Sequence, residues 1–262
     1  MLAALSLQRR RLFFATGGLI LAVVIAAALV VVVRATSGSA GPVPQNQPGP
    51  VLLVPGYGGN VDSLAPLAAA LRSTGRDVVV VDLVGDGTGD LRAQARHLGQ
   101  VAEGVMTRTG APSVDVVGYS AGGVVARLWV RDEDGATVAR RVLTIGSPQH
   151  GTNEAALGLE LAGGCPTACE QLVPDSDLLR TLNAGDETPD GPLWATIRSS
   201  TDSVVTPTGS AALTGAVNII VQDVCKGATT THGALPGDPV VIAALGSVLG
   251  VPPPRLPAGV SC

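Results

Sequence analysis

Among the serines of this 262-residue chain, Ser120 stands in a setting suited to nucleophilic chemistry. It occupies the centre of Gly118-Tyr119-Ser120-Ala121-Gly122, with Gly123 following. The strand-like run Val114–Val117 precedes this pentapeptide, and the helix-like Val-Val-Ala-Arg-Leu-Trp-Val follows it. Strand, sharp turn and helix are the context in which a G-x-S-x-G serine acts as a nucleophile. The flanking glycines let the backbone bend and a carbonyl approach, and the helix N-terminus adds a partial positive field where an oxyanion would form. The plainer reading is a glycine-rich structural turn.

A serine hydroxyl is a weak nucleophile, so it needs a base, and the base needs an orienting acid. The chain has three histidines, His97, His150 and His232. His97 falls in a helix-like stretch before the serine, and His150 comes only thirty residues after Ser120. His232 lies beyond the final strand-like segment, where the chain order serine, acid, histidine puts the base. Asp202 follows the strand-like Leu193–Arg198 and is the expected acid. Asp175, Asp177, Asp186, Asp190 and Asp223 are its rivals, and an ordinary turn aspartate is the bland alternative. An oxyanion site needs two backbone N–H groups. Ala121 supplies one, and Tyr57, in the Val54-Pro-Gly-Tyr-Gly-Gly59 loop, supplies the second through its backbone. Tyr57 and Tyr119 are also placed to touch an acyl chain.

The elements that position these residues follow from periodicity. Segments 51–54, 78–82, 113–117, 142–145, 193–198 and 217–222 read as strands, several of them continuously apolar like buried parallel strands. Segments 61–74, 89–109, 122–131 and 237–249 read as helices, with Asp62 or Ser63 and Thr88 as N-terminal signals. Alternation of this kind predicts right-handed βαβ units and a mostly parallel sheet flanked by helices. The stretch 152–192, rich in Gly, Pro and Asp, breaks the rhythm and reads as an excursion over one end of the sheet. Asp86-Gly-Thr-Gly-Asp90 is compatible with a calcium loop but reads better as a turn.

Leu12–Val33 carries no charge over 22 residues and follows Arg9-Arg10-Arg11. A helix of that length spans about 33 Å, enough for a hydrocarbon core of about 30 Å. Residues 1–11 thus read as a basic N-terminal segment, and 12–33 as a transmembrane signal anchor or a signal peptide. Residues 34–50, rich in Pro, Gly and Ser, read as a linker, and 51–262 as the catalytic domain. Both readings of 12–33 put that domain outside the cytoplasm, membrane-held or secreted. Beyond Arg34 the chain carries 13 basic against 21 acidic residues, which disfavours nucleic acid as a partner. Cys165, Cys169, Cys225 and Cys262 all lie in this outer part and read as disulfides rather than a zinc site. Proximity pairs Cys165 with Cys169 and leaves Cys225 for Cys262. No cofactor motif and no metal cluster is apparent.

Four local signatures together resemble the α/β-hydrolase-fold bacterial lipases and esterases of the compact kind. They are Val-Pro-Gly-Tyr57-Gly-Gly, Gly-Tyr-Ser120-Ala-Gly-Gly, Thr144-Ile-Gly-Ser-Pro-Gln-His-Gly-Thr152, and Thr-Asp202-Ser-Val-Val with the later His232. The resemblance implies an α/β-hydrolase fold, a Ser120–Asp202–His232 triad and oxyanion donors at Tyr57 and Ala121. It also implies cleavage of ester or lipid substrates. Pro55 stands where that family often has histidine, and His150 is displaced by one position from its usual place. An acyltransferase using the same acyl-enzyme and a non-catalytic surface binding module are the alternatives.

Overall fold

The computed structural model describes residues 43–262, Gly163 excepted. The expected basic segment 1–11, the membrane or signal span 12–33 and the linker up to residue 42 lie outside the described residues. Among the described residues no helix is long and apolar enough to cross a membrane.

The first two βαβ units set the geometry. Strand β1 (Val51–Val54) leads through helix α1 (Ala65–Ser73) to β2 (Val78–Val80) on one side. Helix α2 (Leu91–Thr109) then returns the chain to β3 (Val114–Tyr119) on the other side of β1. Helix α3 (Ala121–Asp132) connects to β4 (Ala139–Ile145), and β5 (Leu193–Arg198) and β6 (Val217–Ile220) complete the sheet. Among the described residues the order is β2-β1-β3-β4-β5-β6, with every pairing parallel. The chain therefore reverses its winding direction at β1/β3, the position at whose strand carboxyl ends open α/β sheets bind ligands.

Alternate residues of each strand feed two cores. Leu52, Val54, Val116 and Val142 pack against α2 and α3. Val51, Leu53, Val117, Leu143 and Ile197 pack under α1 and helix α8 (Pro239–Leu249). A strand with both faces covered in this way reads as an unbroken apolar run.

Several local expectations need correction. The excursion after β4 contains three helices, α4 (Asn153–Ala162), α5 (Thr167–Gln171) and α6 (Asp177–Leu182). Asn60, not Asp62 or Ser63, caps the 3₁₀ turn before α1, and Asp90, not Thr88, caps α2. The strand expected over 217–222 ends at Ile220 and passes into the short helix α7 (Val221–Val224). Packing also begins before Val51. Val43 is buried, Arg140 donates to the Gln45 carbonyl, and Arg76 donates to that of Gly49. Side chains from the sheet's amino end thus hold a segment with no apolar rhythm of its own. Asp86 accepts from the Thr88 amide and hydroxyl, a local turn of the kind aspartate favours.

Candidate active site

Ser120 sits between β3 and α3 with φ 52° and ψ −128°, a left-handed backbone that a side chain adopts only under constraint. Close packing supplies the constraint. A Cβ on Gly122 would come within 2.3 Å of the Val54 carbonyl oxygen, so α3 starts directly against the end of β1. The turn lifts Ser120 into a half-buried position at the carboxyl end of the sheet.

Three side chains widely separated in sequence meet there. His232 Nε2 lies 3.0 Å from Ser120 Oγ, and His232 Nδ1 lies 2.8 Å from Asp202 Oδ2. With Nδ1 protonated and donating to the carboxylate, Nε2 is left to accept from the serine hydroxyl. The other carboxylate oxygen, Asp202 Oδ1, accepts the backbone N–H groups of Val204 at 2.8 Å and Val205 at 3.0 Å. Burial pushes the Asp202 carboxyl upward, but the hydrogen bonds from His232 and Val205 outweigh it and hold the group below its ordinary value. Asp202 is therefore an anion at neutral pH, oriented through both oxygens.

Ala121 is the first residue of α3, so its N–H is among those that a helix leaves without an intrahelical partner. The loop after β1 reaches the same place. A Cβ on Gly56 would lie 2.9 Å from that of Ser120, and Tyr57 follows it. Ser120 opens into a cavity of about 230 Å³ whose wall includes Tyr57, Pro148, Ala155, Leu172, Val204 and Val205. Tyr57 is 44% exposed, whereas Tyr119 is 8% exposed, which removes Tyr119 from the acyl-contacting role expected of it.

The remaining candidates lie elsewhere. His150 Nε2 is 2.6 Å from Glu187 Oε1, and its Nδ1 faces the Ser210 carbonyl. His97 is half-buried on α2. Asp177 pairs with Arg180, and Asp186 accepts from the Thr188 amide. Disulfides join Cys165 to Cys169 and Cys225 to Cys262, with Cα separations of 5.8 and 5.5 Å.

The cavity wall is something sequence reasoning missed. Ala155 and Leu172 come from the excursion, which is pinned at α5. Gln171 donates to Asp90 Oδ1 at 2.6 Å and accepts the Leu91 amide at 2.8 Å. A second anchor is Arg127 on α3, buried beneath the excursion. Its guanidinium donates to the carbonyls of Leu182 and Glu187 and to the side chains of Asn183 and Gln149. Burial lowers its pKa to about 10, so it remains charged.

Residues 49–160 match the family described as alpha/beta hydrolase fold. The chain has the α/β-hydrolase fold. Solved structures carry the likeness beyond residue 160. Aspergillus fumigatus lipase B is 20% identical with a TM-score of 0.67, over 80% of this chain and 54% of that one. Mature Bacillus licheniformis lipase BlEst2 is 18% identical with a TM-score of 0.65, over 80% of this chain and 96% of that one. A Listeria innocua gene product is 16% identical with a TM-score of 0.56, over 77% and 94% respectively. The chain thus spans about half the length of the Aspergillus protein and nearly all of the Bacillus one.

Proposed function

We propose that this protein is a serine hydrolase that cleaves carboxylic esters through an acyl-enzyme on Ser120. The observation that carries the reading is the continuous relay from Ser120 Oγ through His232 to Asp202, on a strained turn at the switch point of the sheet. His232 Nε2 takes the serine proton as Oγ attacks the ester carbonyl. The resulting oxyanion accepts from the backbone N–H groups of Ala121 and Tyr57. Collapse of the tetrahedral intermediate breaks the C–O bond, and the imidazolium returns its proton to the departing alcohol. Water then repeats the sequence on the acyl-enzyme, releasing the acid and restoring Ser120. Asp202 keeps the imidazole in the productive tautomer and balances the imidazolium charge.

The apolar cavity wall and the lipase neighbours support an ester or lipid substrate. The disulfides and the apolar run 12–33 support a domain outside the cytoplasm, held by an N-terminal span or released from it. The catalytic domain in this reading comprises the packed chain through Cys262.

Detergent-solubilised full chain should hydrolyse p-nitrophenyl esters and react with a fluorophosphonate at Ser120. Undiminished turnover in Ser120→Ala would refute the reading. Added acceptor alcohol separates hydrolysis from acyl transfer: free acid is the expected product, and a dominant alkyl ester would make the protein an acyltransferase.

A further inference from the structure

We propose that Tyr119 is a positioning residue that holds the base His232 in register with Ser120, an inference that rests on the serine-hydrolase reading. Side chains alternate along β3, so Val117 and Tyr119 point to the face covered by α1 and α8. His232 begins a 3₁₀ turn (His232–Gly237) on that face. Hydrogen-bond geometry in such a turn is poorer than in an α-helix, and its own bonds do not fix its distance from β3.

Tyr119 supplies that distance twice. Its hydroxyl donates to the His232 backbone carbonyl at 3.1 Å in a buried setting. Its ring stacks on the imidazole, with centroids 5.2 Å apart and planes 29° from parallel. Gly146, at the end of β4, closes on the same imidazole: a Cβ there would lie 3.3 Å from His232 Cε1 and Nδ1. Burial, with the Asp202 charge adding to it, pushes the Tyr119 hydroxyl up to about 12, so it stays a donor throughout the neutral range.

The geometry makes a short circuit. Ser120 is joined by one peptide bond to Tyr119, whose phenol grips the residue that must meet Ser120 Oγ. The 3.0 Å contact between nucleophile and base is thereby closed through a neighbour of the nucleophile itself. Loss of this grip lets the base drift without disturbing the cavity wall. A misplacement of about 1 Å can cost on the order of 100-fold in rate.

The test compares full-length wild type, Tyr119→Phe, Tyr119→Leu and Ser120→Ala on one p-nitrophenyl ester. Tyr119→Phe keeps the ring and deletes only the hydroxyl. It should lower kcat about tenfold, with KM within about twofold of wild type and a matching fall in fluorophosphonate labelling rate. Tyr119→Leu should lower kcat further. Should the leucine variant not fold, the phenylalanine variant alone decides. An inactive Ser120→Ala beside a Tyr119→Phe of unchanged kcat overturns the positioning role and leaves the hydrolase reading standing. A lower thermal midpoint with unchanged kcat per folded molecule overturns it likewise, since that is what a purely structural tyrosine would give. Turnover surviving in Ser120→Ala overturns both.

Discussion

The two ends of the sheet each bury an aspartate against cationic or proton-donating partners, and they do so to opposite effect. At the carboxyl end, Asp202 divides its donors between its two oxygens: two backbone N–H groups on Oδ1 and His232 on Oδ2. At the amino end, Asp115 is fully buried on β3, and Oδ2 alone takes both Arg140, at 2.6 Å, and Arg76. Its Oδ1 finds no partner among the described residues. Burial raises the Asp115 carboxyl above its ordinary value despite the two guanidinium groups, whereas Asp202 is lowered. The lesson is that the count and distribution of donors, not the presence of a charge partner alone, decide which way a buried carboxyl moves. The amino-end cluster also ties down chain that lacks a core of its own. Arg140 donates to the carbonyls of Gln45, Leu249 and Gly250, and Arg141 to those of Val251 and Pro252. In the proposed reading one end commits its polar groups to chemistry, while the other holds lead-in and tail.

That division can be broken by substitution. The largest effect belongs to Ser120→Ala, expected to remove fluorophosphonate labelling and lower ester turnover by on the order of 10⁶-fold with the thermal midpoint preserved. His232→Ala should cost about as much as Ser120→Ala and Asp202→Asn on the order of 10⁴-fold, while His150→Ala, paired with Glu187 away from Ser120, should stay close to wild type in kcat. An inactive His150→Ala with an active His232→Ala would reverse the assignment of the base. At the other end, Asp115→Ala leaves Arg140 buried without its carboxylate and should lower unfolding stability by about 3–5 kcal/mol in urea titration. Specific activity of the folded fraction should not change, and a selective loss of activity would erase the contrast between the two ends.

Smaller effects sharpen it. Replacing Cys225 and Cys262 together by serine opens a link 37 residues apart in sequence, worth about 4 kcal/mol in the chain-entropy account. Opening Cys165–Cys169, four apart, should cost only about 2 kcal/mol in the same account. Equal losses for the two would mean that strain or packing, not loop closure, sets their value. The smallest effect is a pH dependence. Because the folded-state value of Asp202 is depressed, its contribution to stability is complete above the ordinary aspartate value of about 3.9. It disappears as pH falls through the lower folded value. Stability curves of wild type and Asp202→Asn should therefore differ at pH 6 and converge as the pH approaches 2. A constant gap across that range would assign the difference to packing.

The sheet and its order of use were largely legible in the amino-acid pattern. Short apolar runs, several of them β-branched, marked each strand to within a few residues, and the rule of chain order singled out Asp202 and His232, which the fold brings together with Ser120. Helix starts were misread because Asn60 and Asp90 compete with nearby Thr, Ser and Asp residues of similar capping strength. Two of the excursion's three helices escaped because α5 and α6 have five and six residues, too few to show a period. The expectation that Tyr119 touches an acyl chain comes from its place beside Ser120, where an aromatic suggests a substrate contact. Strand parity with Val117 would have turned it toward the other core instead. The amide grip on Asp202 was present in Asp202-Ser-Val-Val as an aspartate that bonds backbone two and three residues on.

Arg127 gives the excursion an evolutionary and engineering constraint. The segment after β4 borders the cavity and lies outside the sheet, which makes it the natural unit to exchange in a chimera. Here the unit is keyed to its host: the buried guanidinium sits on α3, while three of its four acceptors, Leu182, Asn183 and Glu187, sit in the segment to be exchanged, and only Gln149 stays behind. A transplanted segment without acceptors at those points would leave a buried charge with Gln149 as its one remaining partner, at a cost of up to about 3–5 kcal/mol. Successful chimeras must therefore move Arg127 together with 152–192, as lock and key.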